Sequence, residues 1–182
     1  LENINSILDL SKIEAGKMEI TPESYRVLSA FHDIITILRM RAQEKKLTFR
    51  AQVDETIPNT LYGDDINLTH IVMNLGSNAV KYTPAGGSIT LQVEELPTRD
   101  DGMLLYRFTV SDTGIGMAPE FLDRLFLPFE REDTSMTGKV SGVGLGMAIT
   151  RHMVQMMGGH IEVSSTQGEG SIFTILLPCP AA

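Results

Sequence analysis

The sequence predicts an α/β fold in which one sheet is covered on one face by helices. Three observations carry this expectation. Long segments with helical apolar spacing alternate with pairs of short segments whose apolar residues alternate. Polar links rich in glycine join the later strand pairs as hairpins. Hydrophobic residues make up 42% of 182 residues, enough for one domain with a sizeable core and a short appendage.

Residues 1–16 read as the end of a helix, with Leu1, Ile4, Leu8 and Ala15 near one stripe, Ile7 and Leu10 beside it, and Gly16 as the stop. The helix is too apolar to stand alone and too short to be stable without partners. Residues 27–46 form a stronger helix, with Leu28, Phe31, Ile35, Leu38 and Ala42 on one face. Residues 47–53 alternate as a strand. Asp64 opens a third helix that runs to about Tyr82, with Leu68, Ile71, Val72, Leu75 and Ala79 inward; Pro84 to Gly87 ends it. Residues 88–96 and 104–111 are strands of one hairpin, and 119–126 is a short helix. Residues 127–141 lack apolar periodicity and are rich in charge, Thr, Ser and Gly, as a functional lid would be. A helix over 145–157 turns Leu145, Ile149, Met153 and Met156 inward, and a hairpin of 160–165 with 171–177 closes the fold.

The composition removes several function classes. A net charge of −8 argues against a nucleic-acid surface and against an anionic membrane. The single cysteine, Cys179, has no internal partner, which points to a reducing compartment. No apolar run approaches the roughly 20 residues that span a bilayer, and no stretch reads as a signal peptide. The chain starts at Leu1 in the middle of a helical pattern and reads as a piece of something longer.

Three sites carry chemistry. Gly142-Val143-Gly144-Leu145-Gly146 leads directly into a helix, whose free N–H groups and positive dipole end suit an anion. It is neither a Walker loop nor a dinucleotide fingerprint, since Val140 and Met147 stand where those patterns need a hydroxyl and a small residue. By itself the loop indicates an anion, a nucleotide among the choices. Asn74, Asn78 and Lys81 share a helix face away from the core stripe. That face is either a solvated surface or a place for a hydrated cation and a phosphate; magnesium needs only one amide oxygen beside phosphate oxygens. Two asparagines in mid-helix cost stability, which favours the second reading. Asp112-Thr113-Gly114-Ile115-Gly116 follows a strand. Its carboxylate either closes an Asx turn or accepts from an exocyclic amine. Asp-Thr-Gly also matches an aspartic protease, which needs a second Asp and leaves Asn74, Asn78 and the 142–146 glycines unexplained.

Taken together these segments resemble the boxes of sensor histidine kinases. The 74–82 stretch resembles their N box, 112–116 the first glycine box, Phe126 to Arg131 the F box, 142–146 the second glycine box, and 168–174 the closing glycine segment. The order and spacing are specific, and the match covers about residues 25–178. Residues 1–18 are similar to the end of the dimerisation helix that precedes this domain, so the division expected is 1–18 as that helix and 19–182 as the catalytic ATP-binding domain. The details fit hybrid bacterial kinases.

The resemblance implies a two-layer α/β sandwich, a mixed and mostly antiparallel sheet covered on one face by three helices (the Bergerat fold), plus an N-terminal helical stub. It implies ATP and Mg²⁺ as ligands. Asp112 would bind the adenine amino group, helped by Thr174 through water. Asn78 would hold the metal, and Asn74, Lys81 and Tyr82 would line the phosphate and ribose side. Arg131 would reach the γ-phosphate under a lid of residues 130–146. Gly114, Gly116, Met117, Gly142, Gly144, Leu145 and Gly146 complete the ATP-binding set, and Asn74, Lys81 and Arg131 the catalytic one. Related hydrolases carry a glutamate where Asn74 stands, so slow hydrolysis and transfer of the γ-phosphoryl to a protein histidine are expected. That acceptor lies on the upstream helix. His32, His70, His152 and His160 are not in its context, and His70 reads as an ordinary helix-surface histidine. The implied partners are the chain's own dimerisation bundle in a homodimer and a receiver domain, with no nucleic acid and no membrane contact by this segment, and the implied location is the cytoplasm. Two alternatives are a hydrolytic ATPase of the same superfamily and an ATP-binding docking module without chemistry.

Overall fold

The chain alternates between helical and strand periodicity in the order α1 (Glu2–Glu14), β1 (Glu23–Arg26), α2 (Val27–Glu44), β2 (Thr48–Val53), β3 (Thr60–Gly63), α3 (Asp65–Tyr82), β4 (Ser88–Leu96), β5 (Met103–Asp112), α4 (Pro119–Leu122), α5 (Gly146–Met156), β6 (His160–Thr166) and β7 (Gly170–Pro180). The structure is a computed structural model that describes residues 2–97, 103–132 and 144–180. Five strands form one sheet in the order β2-β4-β5-β7-β6. Only the β2–β4 pair is parallel, as a crossover through α3 requires. The other pairs are antiparallel, with Val93 opposite Phe108 and Val110 opposite Phe173.

Strand alternation gives the sheet two unlike faces. Ile89, Leu91 and Val93 of β4, Tyr106, Phe108 and Val110 of β5, and Phe173, Ile175 and Leu177 of β7 are buried on one of them. Helices α2, α3 and α5 cover that face, with α3 in the middle touching both neighbours. The other face is polar: Gln92 donates to Gln52 at 3.0 Å, and Arg107 pairs with Glu94 at 2.8 Å. This is the two-layer arrangement expected.

Asp64 starts α3 by accepting from the Asn67 N–H at 2.8 Å, which satisfies one of the donors a helix start leaves unpaired. The same carboxylate accepts from the Thr21 N–H at 2.8 Å, so the cap also pins the chain leading into β1. All five residues expected inward on α3 are buried. On α2 the inner line is Val27, Phe31, Ile34, Leu38 and Ala42. Leu28 and Ile35, expected on that face, fall at its margin. Ile35 keeps partial cover, whereas Leu28 is 64% exposed. On α5 Met147, Thr150 and Val154 join Ile149 and Met153 inside, and Met156 falls to the edge. Helix α4 ends at Leu122, and a run of turns replaces the rest of the expected helix.

Strands β1 and β3 are additions to the expected elements, whereas α1 is the expected N-terminal helix. Strands β1 and β3 pair antiparallel as a small separate sheet, which buries Tyr25 opposite Leu61. At four residues each, they are too short for alternation to register. Helix α1 packs against α5 and sets Leu10 and Ile13 on the core, while Ile4, Ile7 and Leu8 stay exposed.

Gly76 sets the spacing of α2 and α3, because a Cβ there would lie 2.5 Å from Leu38 Cδ1. Gly76→Ala should therefore destabilise the chain by about 1–2 kcal/mol, despite alanine's better helix propensity. Urea denaturation of Gly76→Ala, Leu38→Ala and the double variant checks this. The double variant should be more stable than the sum of the single losses predicts, and simple additivity would reject the contact.

Candidate functional site

A cavity of about 490 Å³ lies between α3, the start of α5 and the loop that leaves β5. It is within the size range of small-molecule sites. Asn74, Asn78, Lys81 and Tyr82 line it from α3, Asp112 from the end of β5, Gly116, Met117 and Arg131 from the segment that follows, and Gly144, Leu145 and Gly146 from the start of α5. Three stretches far apart in sequence thus converge. Gly142 and most of the expected lid, residues 133–143, lie outside the described residues.

One end of the cavity is built around Asp112. Its Oδ1 accepts from the Gly114 N–H at 2.8 Å, the Asx turn expected at a strand end. Burial pushes its carboxyl above the usual aspartate range, and the Gly114 and Ser171 N–H groups pull it partly back. Gly114 lines the loop rather than the cavity: a Cβ there would meet the Tyr82 carbonyl oxygen at 2.6 Å. Gly116 has φ +63°, and a Cβ would come within 2.0 Å of the Thr166 carbonyl oxygen. The loop is therefore pressed between the end of α3 and the β6–β7 turn. The Ile115 N–H donates to Tyr82 O at 3.0 Å, Ile115 O accepts from the Gly168 N–H at 2.7 Å, and the Met117 N–H donates to Ser165 Oγ at 2.9 Å.

Thr174 is a correction. Strand alternation puts the buried Phe173 on the helix-covered face and Thr174 on the other, beside Thr109 and Glu162. Ser171, 7% exposed, and Phe173 line the cavity instead. Period-two alternation counted from Phe173 contains this answer, since residues 171 and 173 share a face and 174 does not.

The other end is polar and cationic. Asn74 Nδ2 donates to Gly146 O at 2.9 Å and to Thr150 Oγ1 at 2.6 Å, so both amide hydrogens hold the first turn of α5. A Cβ on Gly146 would lie 2.9 Å from Asn74 Oδ1, which explains a glycine at a helix start. Asn78 Nδ2 makes a 3.6 Å contact with Met147 Sδ, which leaves its amide oxygen without a protein partner among the described residues. Leu145 at the N-cap of α5 offers no side-chain hydrogen bond, and among the described residues no side chain caps the first turn. Its N–H groups and dipole thus remain available beside Gly146 and Met147. Lys81 and Arg131 both line the cavity and are exposed.

Sequence reasoning missed several lining residues. Arg41 of α2 donates to Ser77 Oγ at 2.9 Å, and both reach the cavity, as do Asn5, Ser6 and Asp9 of α1. These come from helix faces that read as ordinary solvated surface. Glu130 and Glu132 also border the cavity and are already engaged. Glu130 pairs with Arg124 at 2.9 Å, and Glu132 Oε1 accepts from the Ala118 N–H at 2.9 Å. His70 is an exposed residue at the same border.

Comparison with known proteins gives a consistent picture. The sensor protein GacS of Pseudomonas syringae pv. syringae is 39% identical over 182 residues, which is all of this chain and 20% of that protein. Hybrid signal transduction histidine kinase B of Dictyostelium discoideum is 38% identical over 179 residues, 98% of this chain and 9% of that protein. The chain thus spans a fifth or less of the length of these two relatives. The crystal structure of full-length ShkA in complex with AMPPNP superposes with a TM-score of 0.82 at 28% identity, covering all of this chain and 36% of that one. The histidine kinase AdeS of Acinetobacter baumannii shares the fold, with a TM-score of 0.72 at 22% identity over 96% of this chain and 75% of that one. Residues 63–181, which hold α3, the Asp112 loop and the start of α5, match the model of one family. By that match and by its relatives, the chain belongs to the histidine kinase-, DNA gyrase B- and HSP90-like ATPase family.

Proposed function

We propose that this chain is the ATP-binding catalytic domain of a two-component sensor histidine kinase, and that the γ-phosphoryl of ATP goes to a histidine on a dimerisation helix. The observation that carries the reading is Asp112, a half-buried carboxylate that lines the cavity with one oxygen committed to the Gly114 N–H. A carboxylate so placed accepts a hydrogen bond from an exocyclic amine, as adenine offers and guanine does not at that position. Ser171, rather than Thr174, is suited to assist there. The other end fits phosphate: Lys81, Arg131 and the uncapped start of α5 supply positive charge inside a chain whose net charge is −8. The Asn78 amide oxygen suits Mg²⁺, which when bound would neutralise phosphate charge.

Asn74 favours transfer over hydrolysis. An amide is no general base, and both of its hydrogens are spent on α5. The carboxylates Glu130 and Glu132 at the border are engaged elsewhere. Residues 1–18 are proposed as the end of the dimerisation helix, with 19–182 as the catalytic domain. The exposed Ile4, Ile7 and Leu8 of α1 support a bundle partner for that helix. The similarity to hybrid kinases supports a homodimeric full-length protein and a receiver domain as further partner. An ATP-dependent phosphorelay sets the domain in the cytoplasm. Among the described residues no helix is long and apolar enough to cross a membrane.

The Asp112 assignment predicts an opposed pair of effects. The folded-state pKa of Asp112 is raised, so its charged form costs the fold stability above that pKa, and the cost disappears as pH falls through it. Asp112→Asn keeps the acceptor for Gly114 and removes the charge. At pH 7 the variant should melt no lower than the parent, while its ATP affinity drops about a hundredfold. The melting advantage should vanish once acid protonates the parent's Asp112. Calorimetry and thermal melts across pH read both. Equal ATP affinity in parent and variant, or equal affinity of the parent for ATP and GTP, would sink the adenine assignment.

The transfer reading predicts that the chain alone, given γ-labelled ATP, labels none of its own histidines and releases ADP slowly. A dimerisation segment carrying an acceptor histidine, added in trans, should take up label weakly, because the covalent tether is missing. Asn78→Ala should abolish that labelling. Hydrolysis at many turnovers per minute would favour the ATPase instead.

A further inference from the structure

Helix α3 ends without the glycine that usually closes a helix. Thr83 turns extended, with φ −101° and ψ 118°, and Pro84 follows. The Thr83 N–H closes the helical ladder on Ala79 O at 3.1 Å, which leaves the carbonyls of Val80, Lys81 and Tyr82 with no intrahelical donor and no left-handed cap. Each is nevertheless satisfied. Tyr82 O accepts from the Ile115 N–H at 3.0 Å. Val80 O and Lys81 O both accept from a single group, the Lys45 ammonium, at 2.7 and 2.6 Å. A cation there also faces the negative end of the α3 dipole.

Lys45 is itself held in place. It is the C-cap of α2, with its N–H on the last-turn carbonyls of that helix. The next residue, Lys46, has φ +60°, and its carbonyl accepts from the Gly86 N–H at 2.9 Å. The ammonium therefore reaches α3 from a fixed base. Lys45 does not line the cavity, but the turn it holds carries Asn78, Lys81 and Tyr82, which do.

We infer that Lys45 is a positioning residue for the phosphate end of the site: by holding the Val80 and Lys81 carbonyls it keeps the last turn of α3 wound and its cavity-lining side chains in register. This deepens the nucleotide reading and rests on it. Lys45→Met keeps much of the apolar stem and removes both bonds. The two carbonyls then turn to water, the turn frays, and the phosphate-facing groups lose their fixed geometry. Asp112 stands on β5 and its carboxylate is held by the Gly114 N–H, so the adenine end, tied to this turn through the Tyr82–Ile115 bond alone among the described residues, loses far less.

The test is the binding of Mg·ATP and of adenosine to the same full chain, by calorimetry and by NMR titration, for the parent, Lys45→Met and Lys45→Arg. Lys45→Met should lose about tenfold in affinity for Mg·ATP while adenosine binding stays within about twofold, and Lys45→Arg should recover most of the loss. Equal losses for both ligands would mark a merely structural lysine and overturn the inference, as would unchanged Mg·ATP affinity in Lys45→Met. If Lys45→Met does not fold, Lys45→Gln, which keeps one donor group on a shorter stem, is titrated with the same two ligands, and the same pattern of losses supports or overturns the role. A parent chain that binds neither ligand would overturn the nucleotide reading and this inference with it, whereas a parent that binds both beside an unchanged variant overturns the Lys45 role alone.

Discussion

The backbone of Ile115 joins three parts of the molecule. Its N–H donates to the final carbonyl of α3, and its carbonyl accepts from Gly168 in the β6–β7 turn. The loop after β5 is thereby fixed against the helical layer on one side and against the last hairpin on the other. The glycines on either side follow from this. Gly114 and Gly116 are the points where backbone meets backbone too closely for any side chain, at Tyr82 O and Thr166 O. With the loop so held, Asp112 stays half-buried at the end of β5. Its desolvation is the cost of a fixed acceptor, an instance of stability given up at a functional site.

The two ends of the cavity are built on different principles. The Asp112 end depends on backbone contacts, which are indifferent to most side-chain changes. The opposite end depends on side chains: Asn74 on α5, Arg41 on Ser77, Lys45 on the end of α3. Lys81 at that end is exposed, whereas Asp112 is half-buried.

Much of this was legible in the sequence because the long elements carry redundant signals. In α3 the cap at Asp64, the apolar stripe and the Pro84 stop all agree, and every stripe residue is buried. Where one signal stood alone it was weaker. On α2 the apolar spacing put Leu28 and Ile35 inward, and packing buries Val27 and Ile34 instead. Strands β1 and β3 exist because they pair with each other, which no local pattern records. Thr174 was placed at the site by likeness to a motif, although strand alternation from Phe173 pointed to Ser171. Local geometry is the better guide when the two disagree. Arg41, Ser77 and the α1 residues became part of the cavity only through tertiary neighbours.

Asn74 carries a consequence for how activities diverge within such a fold. Its amide gives two hydrogens to the start of α5, one to a carbonyl and one to a hydroxyl. A glutamate at this position has no hydrogens to give, and it would set a negative charge against the Gly146 carbonyl oxygen. Gaining a carboxylate base here would therefore unfasten the helix whose N-terminus lines the cavity. On the proposed reading, a step from transfer to hydrolysis would need α5 first to acquire another fastening, so the architecture itself would guard the choice of acceptor.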